Sequence, residues 1–519
     1  MILTQVLKRA VSFYPKNIAT IDGEHRQTYG ELGVRAKALA SSLQALGINH
    51  GDRVAMLMLN GHEFAEVIFA CWEIGAVAVP LNYRLAAEEL IFIINDAECK
   101  AMISDDVMLP MTSAMRPRLE GIENYIATAN ADDSLLYEDL IVTSNSDVKP
   151  VVIEENDLAG LFYTSGTTGL PKGVMLSHRN LWMNLMQGMA EIPTNSSDIY
   201  LHAAPMFHLA DFPTLMSFTM RGATQVLLKK FDPTALLNLL EKEKVSRVML
   251  VPTMINFLVS HPEIKNRDLS HLGFITYGAS PMPLELLKRS MATLPHVKFV
   301  QGYGQSEASP LLTYLKDYDH VADGTEHQLQ RLTSCGQAVI GVEIAIFDEH
   351  DKPVPSGVVG EIVARGPNVM VGYWKRPEET AKTLRGGWLH TGDAGKIDED
   401  GYVFIVDRTK DMIVTGGENV YSTEVENAIY KHPSIREAAV VGIPDERWGE
   451  AVAAIVTLRP DTTLTAEELI AHCNNFLANY KVPKVVEIRE GELPKGGTGK
   501  IDKKIMREKY WQGYTRRVN

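Results

Sequence analysis

Apolar residues in the first two-thirds of the chain alternate between two spacings. Short apolar runs typical of buried strands, residues 53–59 and 77–80, each precede a stretch with helical spacing, residues 63–74 and 87–95. Strands that alternate with helices in this way predict a parallel sheet with helices on both faces.

The same alternation returns in the middle of the chain. Helical spacing covers residues 235–243, 253–261 and 284–293, and strand-like runs cover residues 247–251, 274–277 and 299–301. We therefore expect a second doubly wound α/β unit. Ligands of such units bind in loops at the carboxyl ends of the strands, so those loops are the first candidates for a functional site.

The pattern changes between residues 333 and 406. Short strands at residues 342–347, 360–364 and 402–405 are separated by turns rich in Gly and Pro, which predicts a small antiparallel β-barrel. Strand and helix then alternate again to the end. We expect a large domain of residues 1–407 and a smaller α+β domain of residues 408–519.

Composition narrows the functional classes. The 519 residues contain 51 Lys and Arg against 65 Asp and Glu, a net charge of −14, which argues against binding to duplex nucleic acid. The four cysteines are far apart and form no C-x-x-C pair, so we expect neither a zinc knuckle nor a disulfide framework, and a reducing cytoplasm fits best.

Membrane and export signals are also missing from the pattern. No run of about 18 uncharged apolar residues exists to span a bilayer. Residues 1–15 have the spacing of an amphipathic first helix and not the basic start, apolar run and cleavage site of a signal peptide.

Residues 163–174, with the sequence YTSGTTGLPKGV, form the first segment whose residues are suited to ligand binding. Its glycines let backbone N–H groups approach a ligand, its hydroxyls donate hydrogen bonds and Lys172 adds positive charge, a combination suited to a polyphosphate. The spacing is not that of a G-x-x-x-x-G-K-[ST] P-loop. A flexible surface loop has the same composition, so the segment alone leaves both interpretations open.

Two further segments follow predicted strands. In residues 301–307, QGYGQSE, the ring of Tyr303 can lie against a purine and Glu307 can hold Mg²⁺ through oxygen, although a β-turn with a solvated Glu explains the pattern equally well. Residues 277–283, YGASPMP, can line a pocket with backbone, or simply begin a helix that Ser280 caps.

Three later segments complete the set. Asp393, in WLHTGD, can accept from two ribose hydroxyls, and Arg408, in DRTKD, can add a donor, although surface ion pairs are the default for such charges. The loop PKGGTG precedes Lys500, which a domain movement could deliver into an active site.

Taken together and in this order, the six segments resemble the adenylate-forming superfamily of acyl- and aryl-CoA synthetases, adenylation domains of peptide synthetases and luciferases. The resemblance covers essentially the whole chain, from the first helix to Lys500. It implies that residues 1–407 bind ATP and an acid, and that residues 408–519 form a mobile domain with a catalytic lysine.

The resemblance also assigns residues to roles. It implies that the following bind ATP and AMP: Thr164, Ser165, Gly166, Thr167, Thr168, Gly169, Lys172, Gly278, Ala279, Ser280, Gly302, Tyr303, Gly304, Ser306, Asp393 and Arg408. Catalysis falls to Lys500, Glu307 and His208, and the Mg²⁺ ligands are Glu307 and Thr164. The acid pocket contains Ala210, Asp211, Phe212, Tyr277, Ser309 and Pro310. The hinge is Lys410, and the CoA-side face contains Gly416, Gly417, Asn419 and Trp448.

The implied activity is a two-step ligation with ATP, Mg²⁺ and CoA. The carboxylate first becomes an acyl-adenylate, and the CoA thiolate then displaces AMP after the small domain rotates. One departure from the usual pattern is Ser306, where the superfamily commonly has threonine. Serine keeps the hydroxyl, so we expect function to survive.

The acid itself is left open. Ala210 suggests a deep pocket, which favours medium- or long-chain fatty acids, with feruloyl-type arylpropenoic acids as the alternative; Asp211 could bond a phenol or act only as a capping residue. Rival interpretations are an enzyme that charges a separate carrier protein, a luciferase-like monooxygenase and a nucleotide-binding protein without activity. We expect small-molecule partners, no nucleic acid and a cytoplasmic location, and a homodimer is compatible with the sequence.

Overall fold

The computed structural model describes residues 1–131, 133–164, 171–408, 411–415, 418–445, 447–496 and 501–512. The helices in these ranges are α1 Thr4–Phe13, α2 Tyr29–Ala45, α3 His62–Glu73, α4 Ala87–Asp96, α5 Leu109–Met115, α6 Tyr137–Val142, α7 His178–Glu191, α8 Phe212–Arg221, α9 Pro233–Lys242, α10 Pro252–Val259, α11 Leu284–Thr293, α12 Glu326–Arg331, α13 Pro377–Thr383, α14 Ser422–Tyr430, α15 Ala466–Asn474 and α16 Lys503–Trp511.

The strands in the same ranges are β1 Ile18–Asp22, β2 His25–Thr28, β3 Arg53–Leu57, β4 Val77–Pro80, β5 Cys99–Ser104, β6 Asn124–Ala127, β7 Leu135–Leu136, β8 Leu158–Thr164, β9 Lys172–Ser177, β10 Ile199–His202, β11 Thr224–Leu227, β12 Arg247–Leu250, β13 Phe274–Gly278, β14 Lys298–Gly304, β15 Leu311–Leu315, β16 Gln337–Ala338, β17 Glu343–Phe347, β18 Gly360–Arg365, β19 Gly372–Tyr373, β20 Leu389–Ile397, β21 Val403–Arg408, β22 Ile413–Thr415, β23 Glu418–Val420, β24 Ile435–Asp445, β25 Gly449–Leu458 and β26 Val485–Arg489.

Two large sheets form the main body, as the alternation of strand and helix predicts. One has the order β19-β9-β8-β4-β3-β5-β6-β7, and the other the order β16-β15-β14-β13-β12-β10-β11-β1-β2. The pairs β3-β4, β3-β5, β12-β13 and β13-β14 are parallel, so their carboxyl ends share one edge of each sheet. The prediction of two doubly wound α/β units is confirmed.

A single asparagine at the end of β3 links the two sheets. Asn60 is 3% exposed, and its Nδ2 donates to the carbonyl oxygens of His202, Ala204 and Leu228 at 2.9–3.1 Å. Its Oδ1 accepts from the backbone N–H of Met206 at 2.8 Å. One buried side chain therefore satisfies four backbone groups of the second sheet and its following loop.

The region predicted as a small barrel is antiparallel but open. Its strands have the order β17-β18-β20-β21, and no pair joins β17 to β21 within the described residues. A closed barrel requires tilted strands with a consistent stagger around the whole ring, and four strands of this length form an open sheet instead. This part of the prediction is corrected.

The smaller C-terminal unit is built on a sheet with the order β23-β22-β25-β24, and β26 adds to β25 in parallel. Its core contains Val440, Val452 and Ile429, all nearly or fully inaccessible. An ion pair between Lys503 Nζ and Glu426 Oε1, 2.7 Å apart, ties α16 to α14. The α/β fold with a large N-terminal domain and a smaller C-terminal domain is therefore as expected.

Local sequence explains where α7, one wall of the site described below, begins. Ser177 precedes the helix, and its Oγ accepts from the backbone N–H of Asn180 at 3.1 Å, while Asn180 Oδ1 accepts from the backbone N–H of Ser177 at 3.0 Å. Such a reciprocal cap contributes about 1 kcal/mol. No helix of the described residues is long and apolar enough to cross a membrane.

Candidate active site

A cleft of about 2100 Å³ opens where both large sheets and the C-terminal unit meet. Most described residues of the expected site line it: Thr164, Lys172, His208, Ala210, Tyr277, Gly278, Ala279, Ser280, Gly302, Tyr303, Gly304, Ser306, Glu307, Pro310 and Asp393. These residues come from positions separated by more than 200 residues in sequence. The cleft lies at the carboxyl ends of the strands, as the doubly wound architecture predicts.

The expected phosphate loop connects β8 and β9, which pair in an antiparallel hairpin. Thr164 lies opposite Lys172 in the register of these two strands. Ser165, Gly166, Thr167, Thr168 and Gly169 lie outside the described residues. The hairpin therefore brings a hydroxyl and an ammonium group to the cleft from the two ends of the loop.

Tyr373 joins this hairpin to Glu307. The hydroxyl of Tyr373 donates to Glu307 Oε1 at 2.8 Å, and Lys172 Nζ lies 5.3 Å from the centroid of the Tyr373 ring. Tyr373 belongs to β19, which pairs with β9 through Val174. Burial, and then the Glu307 carboxylate, raise the pKa of Tyr373, so its hydroxyl remains a donor.

Tyr373 was missed by the sequence analysis. The residue lies 66 positions from Glu307, and the only local sign is an aromatic pair after a glycine, Gly372-Tyr373-Trp374. The hydroxyls of Thr164 and Ser306 line the same cleft as the Glu307 carboxylate. Hard oxygen donors of this kind are the ligands that Mg²⁺ takes in proteins, so the donor set fits that ion.

Tyr303 and Asp393, expected at the adenine and the ribose, are in direct contact. The Tyr303 hydroxyl donates to Asp393 Oδ2 at 2.8 Å. Burial first, and then the Asp393 carboxylate, raise the pKa of Tyr303. Asp393 is also the register partner of Arg408 between β20 and β21, which places the backbone of the expected ribose residues side by side.

Two glycines keep the floor of the cleft flat at the ends of β13 and β14. Gly278 and Gly302 are register partners, and a Cβ on Gly278 would lie 2.2 Å from the carbonyl oxygen of Gly302. A Cβ on Gly302 would lie 3.2 Å from Cε1 of Tyr314. Backbone therefore forms the surface here, because no side chain fits at Gly278 without movement of the strand.

The loop before α8 places His208 and Ala210 at the cleft. The backbone N–H of Ala210 donates to His208 Nδ1 at 3.0 Å, which holds the imidazole against its own loop. The ring of Phe207 packs edge-on against Tyr83 with centroids 5.3 Å apart. The loop is therefore fixed between the two sheets.

Three residues expected in the acid pocket lie elsewhere in the described structure. Asp211 is fully buried. Its carboxylate accepts a hydrogen bond from Tyr200 Oη at 2.5 Å and lies 2.6 Å from His202 Nδ1, so both of its oxygens have partners inside the protein. Phe212 packs against Trp72 and Phe162 in the core. Ser309 is fully buried, and its hydroxyl donates to the carbonyl oxygen of Asn368 at 2.7 Å. None of the three lines the cleft, which corrects their placement.

The C-terminal unit contributes one wall. Lys500, Lys410, Gly416 and Gly417 lie outside the described residues, and of Arg408 only the main chain is described. Gly496 and Ile501, the described residues on either side of the segment that contains Lys500, both line the cleft. Lys503, which the sequence analysis did not single out, lines it too. Asn419 and Trp448 are exposed and, in the described structure, lie away from it.

Comparisons with known proteins agree with this arrangement. The AMP-binding enzyme family matches residues 7–374, and the AMP-binding enzyme C-terminal domain matches residues 424–500. A feruloyl-CoA synthase of Amycolatopsis is 38% identical over 97% of this chain and 98% of its own length. The medium/long-chain-fatty-acid–CoA ligase FadD8 of Mycobacterium tuberculosis is 34% identical over 96% of this chain and 88% of its own length.

A solved structure shares the whole fold. The anthranilate CoA ligase AuaEII in complex with anthranoyl-AMP superimposes with a TM-score of 0.90 at 25% identity, over 98% of this chain and 97% of that one. The family match spans well over half of the chain, and it includes the strands β8, β9, β13 and β14 beside the cleft. The chain therefore belongs to the AMP-binding enzyme family, the adenylate-forming superfamily of acyl-CoA synthetases.

Proposed function

We propose that the protein is an ATP-dependent carboxylic acid:CoA ligase that works through an acyl-adenylate. The observation that carries this proposal is the convergence of three contacts on one cleft. Tyr303 contacts Asp393, and Tyr373 contacts both Glu307 and Lys172. Gly496 and Ile501, on either side of the segment that contains Lys500, line the same cleft.

In the first step the substrate carboxylate attacks the α-phosphorus of ATP and pyrophosphate leaves. Asp393 holds the ribose, and the Gly278–Ser280 backbone with Tyr303 holds the adenine. Lys172 and the Thr164 to Gly169 loop bind the phosphates, and Lys500 neutralises charge as it develops on the phosphoryl oxygens. Mg²⁺, held by Glu307 and Thr164, supplies further neutralisation of phosphate charge when bound. His208 lies beside the carboxylate and orients it.

In the second step the CoA thiolate attacks the acyl carbon and AMP leaves. Residues 408–519 rotate about Lys410, withdraw Lys500 and turn the face with Gly416, Gly417, Asn419 and Trp448 toward the cleft. The present exposure of Asn419 and Trp448, away from the cleft, supports this assignment because those side chains are available to a second domain orientation. The boundary that we propose between the two domains lies at residues 407 and 408.

The acid is a medium- or long-chain fatty acid in this proposal, with feruloyl-type acids as the alternative. Relatives with both names support the choice, one a medium/long-chain-fatty-acid–CoA ligase and one a feruloyl-CoA synthase. A further alternative is that a carrier protein accepts the acyl group instead of CoA. A fatty acid–[acyl-carrier-protein] ligase of Streptomyces coeruleorubidus, 34% identical to this chain, supports that alternative. The small side chain of Ala210 at the cleft leaves room for a long acid.

We also propose a reducing, cytoplasmic location, since all four cysteines are free and buried, and a homodimer. Sedimentation velocity on the purified protein tests the dimer.

The decisive experiment incubates the purified protein with ATP, Mg²⁺ and CoA and a panel of acids from acetate through fatty acids to ferulic acid. Mass spectrometry identifies thioesters and chromatography quantifies AMP. We expect AMP and an acyl-CoA in equal amounts. AMP without thioester contradicts the CoA step and favours a carrier protein. If none of the acids supports ATP–pyrophosphate exchange, the ligase proposal is contradicted.

A further inference from the structure

Helix α14, the first helix after the proposed hinge, has no cap from its own flanking residue. Tyr421 occupies the position before the helix, and its side chain makes no capping hydrogen bond. The first backbone N–H groups of a helix have no partner within the helix and need an acceptor from elsewhere. Asp407, at the end of β21, supplies one, because its Oδ2 accepts from the backbone N–H of Ser422.

A second hydrogen bond joins the same two elements. The hydroxyl of Thr423 donates to the carbonyl oxygen of Val406, which precedes Asp407 on β21. Asp407 is 2% exposed and Ser422 is fully buried, so water does not compete for their contact. A carboxylate beside the first turn of a helix is also favoured by the helix dipole. Two adjacent residues of β21 therefore hold two adjacent residues of α14.

These contacts cross the boundary between the two proposed domains. Asp407 is in register with β20 in the antiparallel sheet of the main body, whereas α14 places Val425 in the core of the C-terminal unit. The proposed hinge, Lys410, lies between the two elements in sequence. A rotation of residues 408–519 about Lys410 moves Ser422 away from Asp407. Both hydrogen bonds therefore belong to one domain orientation only.

Lys503 connects this contact to the wall of the cleft. Its Nζ donates to the hydroxyl of Ser422 at 2.6 Å and pairs with Glu426 Oε1 at 2.7 Å. Burial by itself lowers the pKa of Lys503, but the carboxylates of Glu426 and then Asp407 outweigh it and raise that pKa, so the side chain is a cation. Lys503 lines the cleft, three positions after Lys500. The orientation in which α14 is capped is therefore the one that brings this part of the C-terminal unit to the cleft.

We propose that Asp407 is a positioning residue for adenylation: by capping α14 across the hinge, it holds the C-terminal unit in the orientation that faces the Lys500 segment toward the cleft. The inference rests on the proposed ligase function and on the proposed rotation about Lys410. Contacts that exist in only one of two orientations shift the balance between them by their own free energy. Loss of the cap therefore favours the second orientation, in which the thioester forms.

The kinetic test measures the two half-reactions separately, with the acid that gives the fastest ATP–pyrophosphate exchange. We expect Asp407→Ala to slow exchange about tenfold, while thioester formation from a supplied acyl-adenylate and CoA keeps the wild-type rate or rises. Asp407→Asn keeps an oxygen that can accept from Ser422 and should recover part of the exchange rate. Thr423→Val removes the second hydrogen bond at nearly constant volume and should slow exchange by a smaller factor. Asp323→Ala, at an exposed aspartate of the main body, should keep both rates.

A second measurement reports the domain orientation without any substrate. It is needed because Asp407 itself lines the cleft, so a direct contact with the nucleotide must be separated from domain positioning. Dyes on Glu349→Cys and Lys484→Cys, at exposed positions of the main body and the C-terminal unit, report their distance by single-molecule energy transfer. The four native cysteines are buried, which confines labelling to the introduced ones. We expect one main population in the wild-type background and a second population when Asp407→Ala or Thr423→Val is added.

The outcomes keep the two proposals apart. Equal slowing of both half-reactions in Asp407→Ala and Thr423→Val, or a distance distribution that neither change alters, overturns the inference and leaves the ligase function standing. Asp407→Asn and Thr423→Val retain the volume of the native side chains, so the test holds even if Asp407→Ala does not fold. No exchange by the wild-type protein with any acid overturns the ligase function, and with it the role of Asp407 in adenylation.

Discussion

At the residue scale, the contact between Tyr303 and Asp393 makes a sharp prediction about nucleotide binding. Tyr303→Phe removes the 2.8 Å hydrogen bond that orients the Asp393 carboxylate but keeps the ring. Hydrogen bonds to charged groups contribute about 1.5–3 kcal/mol. We expect the KM for ATP to rise about tenfold while kcat changes less than about threefold, since Tyr303 does not touch the reacting atoms.

Tyr318→Phe is the matched control, because Tyr318 is 64% exposed. It should leave both constants unchanged. A fall in kcat for Tyr303→Phe with no change in the KM for ATP would contradict a role in ribose positioning.

Among the described residues that the sequence singled out, the nucleotide-binding candidates in glycine-containing motifs line the cleft, whereas Asp211, Phe212 and Ser309 do not. Glu307, Asp393 and Lys172 stand in motifs with glycine and hydroxyl neighbours, which carry a local signal. Asp211 and Phe212 stand in a loop where the sequence does not tell which side chains face the cleft and which face the core. Tyr373 was missed because its place in the site depends on a contact with Glu307, 66 positions away.

At the element scale, the imidazole of His320 supports the end of β13. Its Nδ1–H donates to the carbonyl oxygen of Lys316 at 2.7 Å, so Nε2 accepts from the hydroxyl of Tyr277 at 2.9 Å. Burial lowers the pKa of His320 from 6.5 to about 4. Between these two values the unfolded chain binds a proton here that the folded chain does not, so the free energy of unfolding falls as the pH falls.

We therefore expect His320 to contribute a loss of about 1.5 kcal/mol in the free energy of unfolding between pH 6.5 and pH 5. Urea titrations of wild type and His320→Gln at the two pH values measure it, and the variant should lose that much less on acidification. His350→Gln, at a side chain 76% exposed, should follow the wild type. Identical pH dependence in all three proteins would show that His320 does not titrate in this window.

The four hydrogen bonds of Asn60 predict how strongly the two large sheets depend on one side chain. Asn60→Ala leaves three carbonyl oxygens and one N–H without their partner in a buried position. We expect the free energy of unfolding to fall by about 3 kcal/mol, measured by urea titration. Asn479→Ala, at an exposed asparagine, should change it by less than about 0.5 kcal/mol. A loss of the same small size at Asn60 would mean that water replaces the side chain.

The elements themselves followed from the sequence wherever the apolar period was strong. The predicted strand at residues 77–80 and the predicted helix at residues 284–293 have those bounds in the structure. The open sheet of β17, β18, β20 and β21 did not follow, because alternation and turns give antiparallel pairing but carry no information on closure. The hydrogen bonds from Asn60 to the second sheet and its following loop also have no signal in the local sequence.

At the scale of the whole molecule, the two half-reactions should respond differently to the loss of one lysine. Lys500 acts in adenylation and is withdrawn before thioester formation in the proposed mechanism. We expect Lys500→Ala to slow ATP–pyrophosphate exchange at least about 100-fold, the loss typical of a preorganised charge-stabilising group. Thioester formation from a supplied acyl-adenylate and CoA should stay within about threefold of wild type.

Lys484→Ala provides the comparison, since Lys484 belongs to the same C-terminal unit, is exposed and does not line the cleft. Both half-reactions should survive that change. If Lys500→Ala slowed both half-reactions equally, the result would contradict the rotation of residues 408–519. Both steps would then use one domain orientation.

The paired glycines at the floor of the cleft limit how this protein can be redesigned. Any side chain at Gly278 meets the carbonyl oxygen of Gly302 at 2.2 Å, so mutant libraries aimed at the floor would consist mostly of inactive members. Helices α7 and α8 differ from the floor because Asn184, Leu185 and Ser217 line the cleft with side chains, whose size and polarity a substitution can change. New acid ranges should therefore be sought by randomising the two helices while the glycine strands are left untouched.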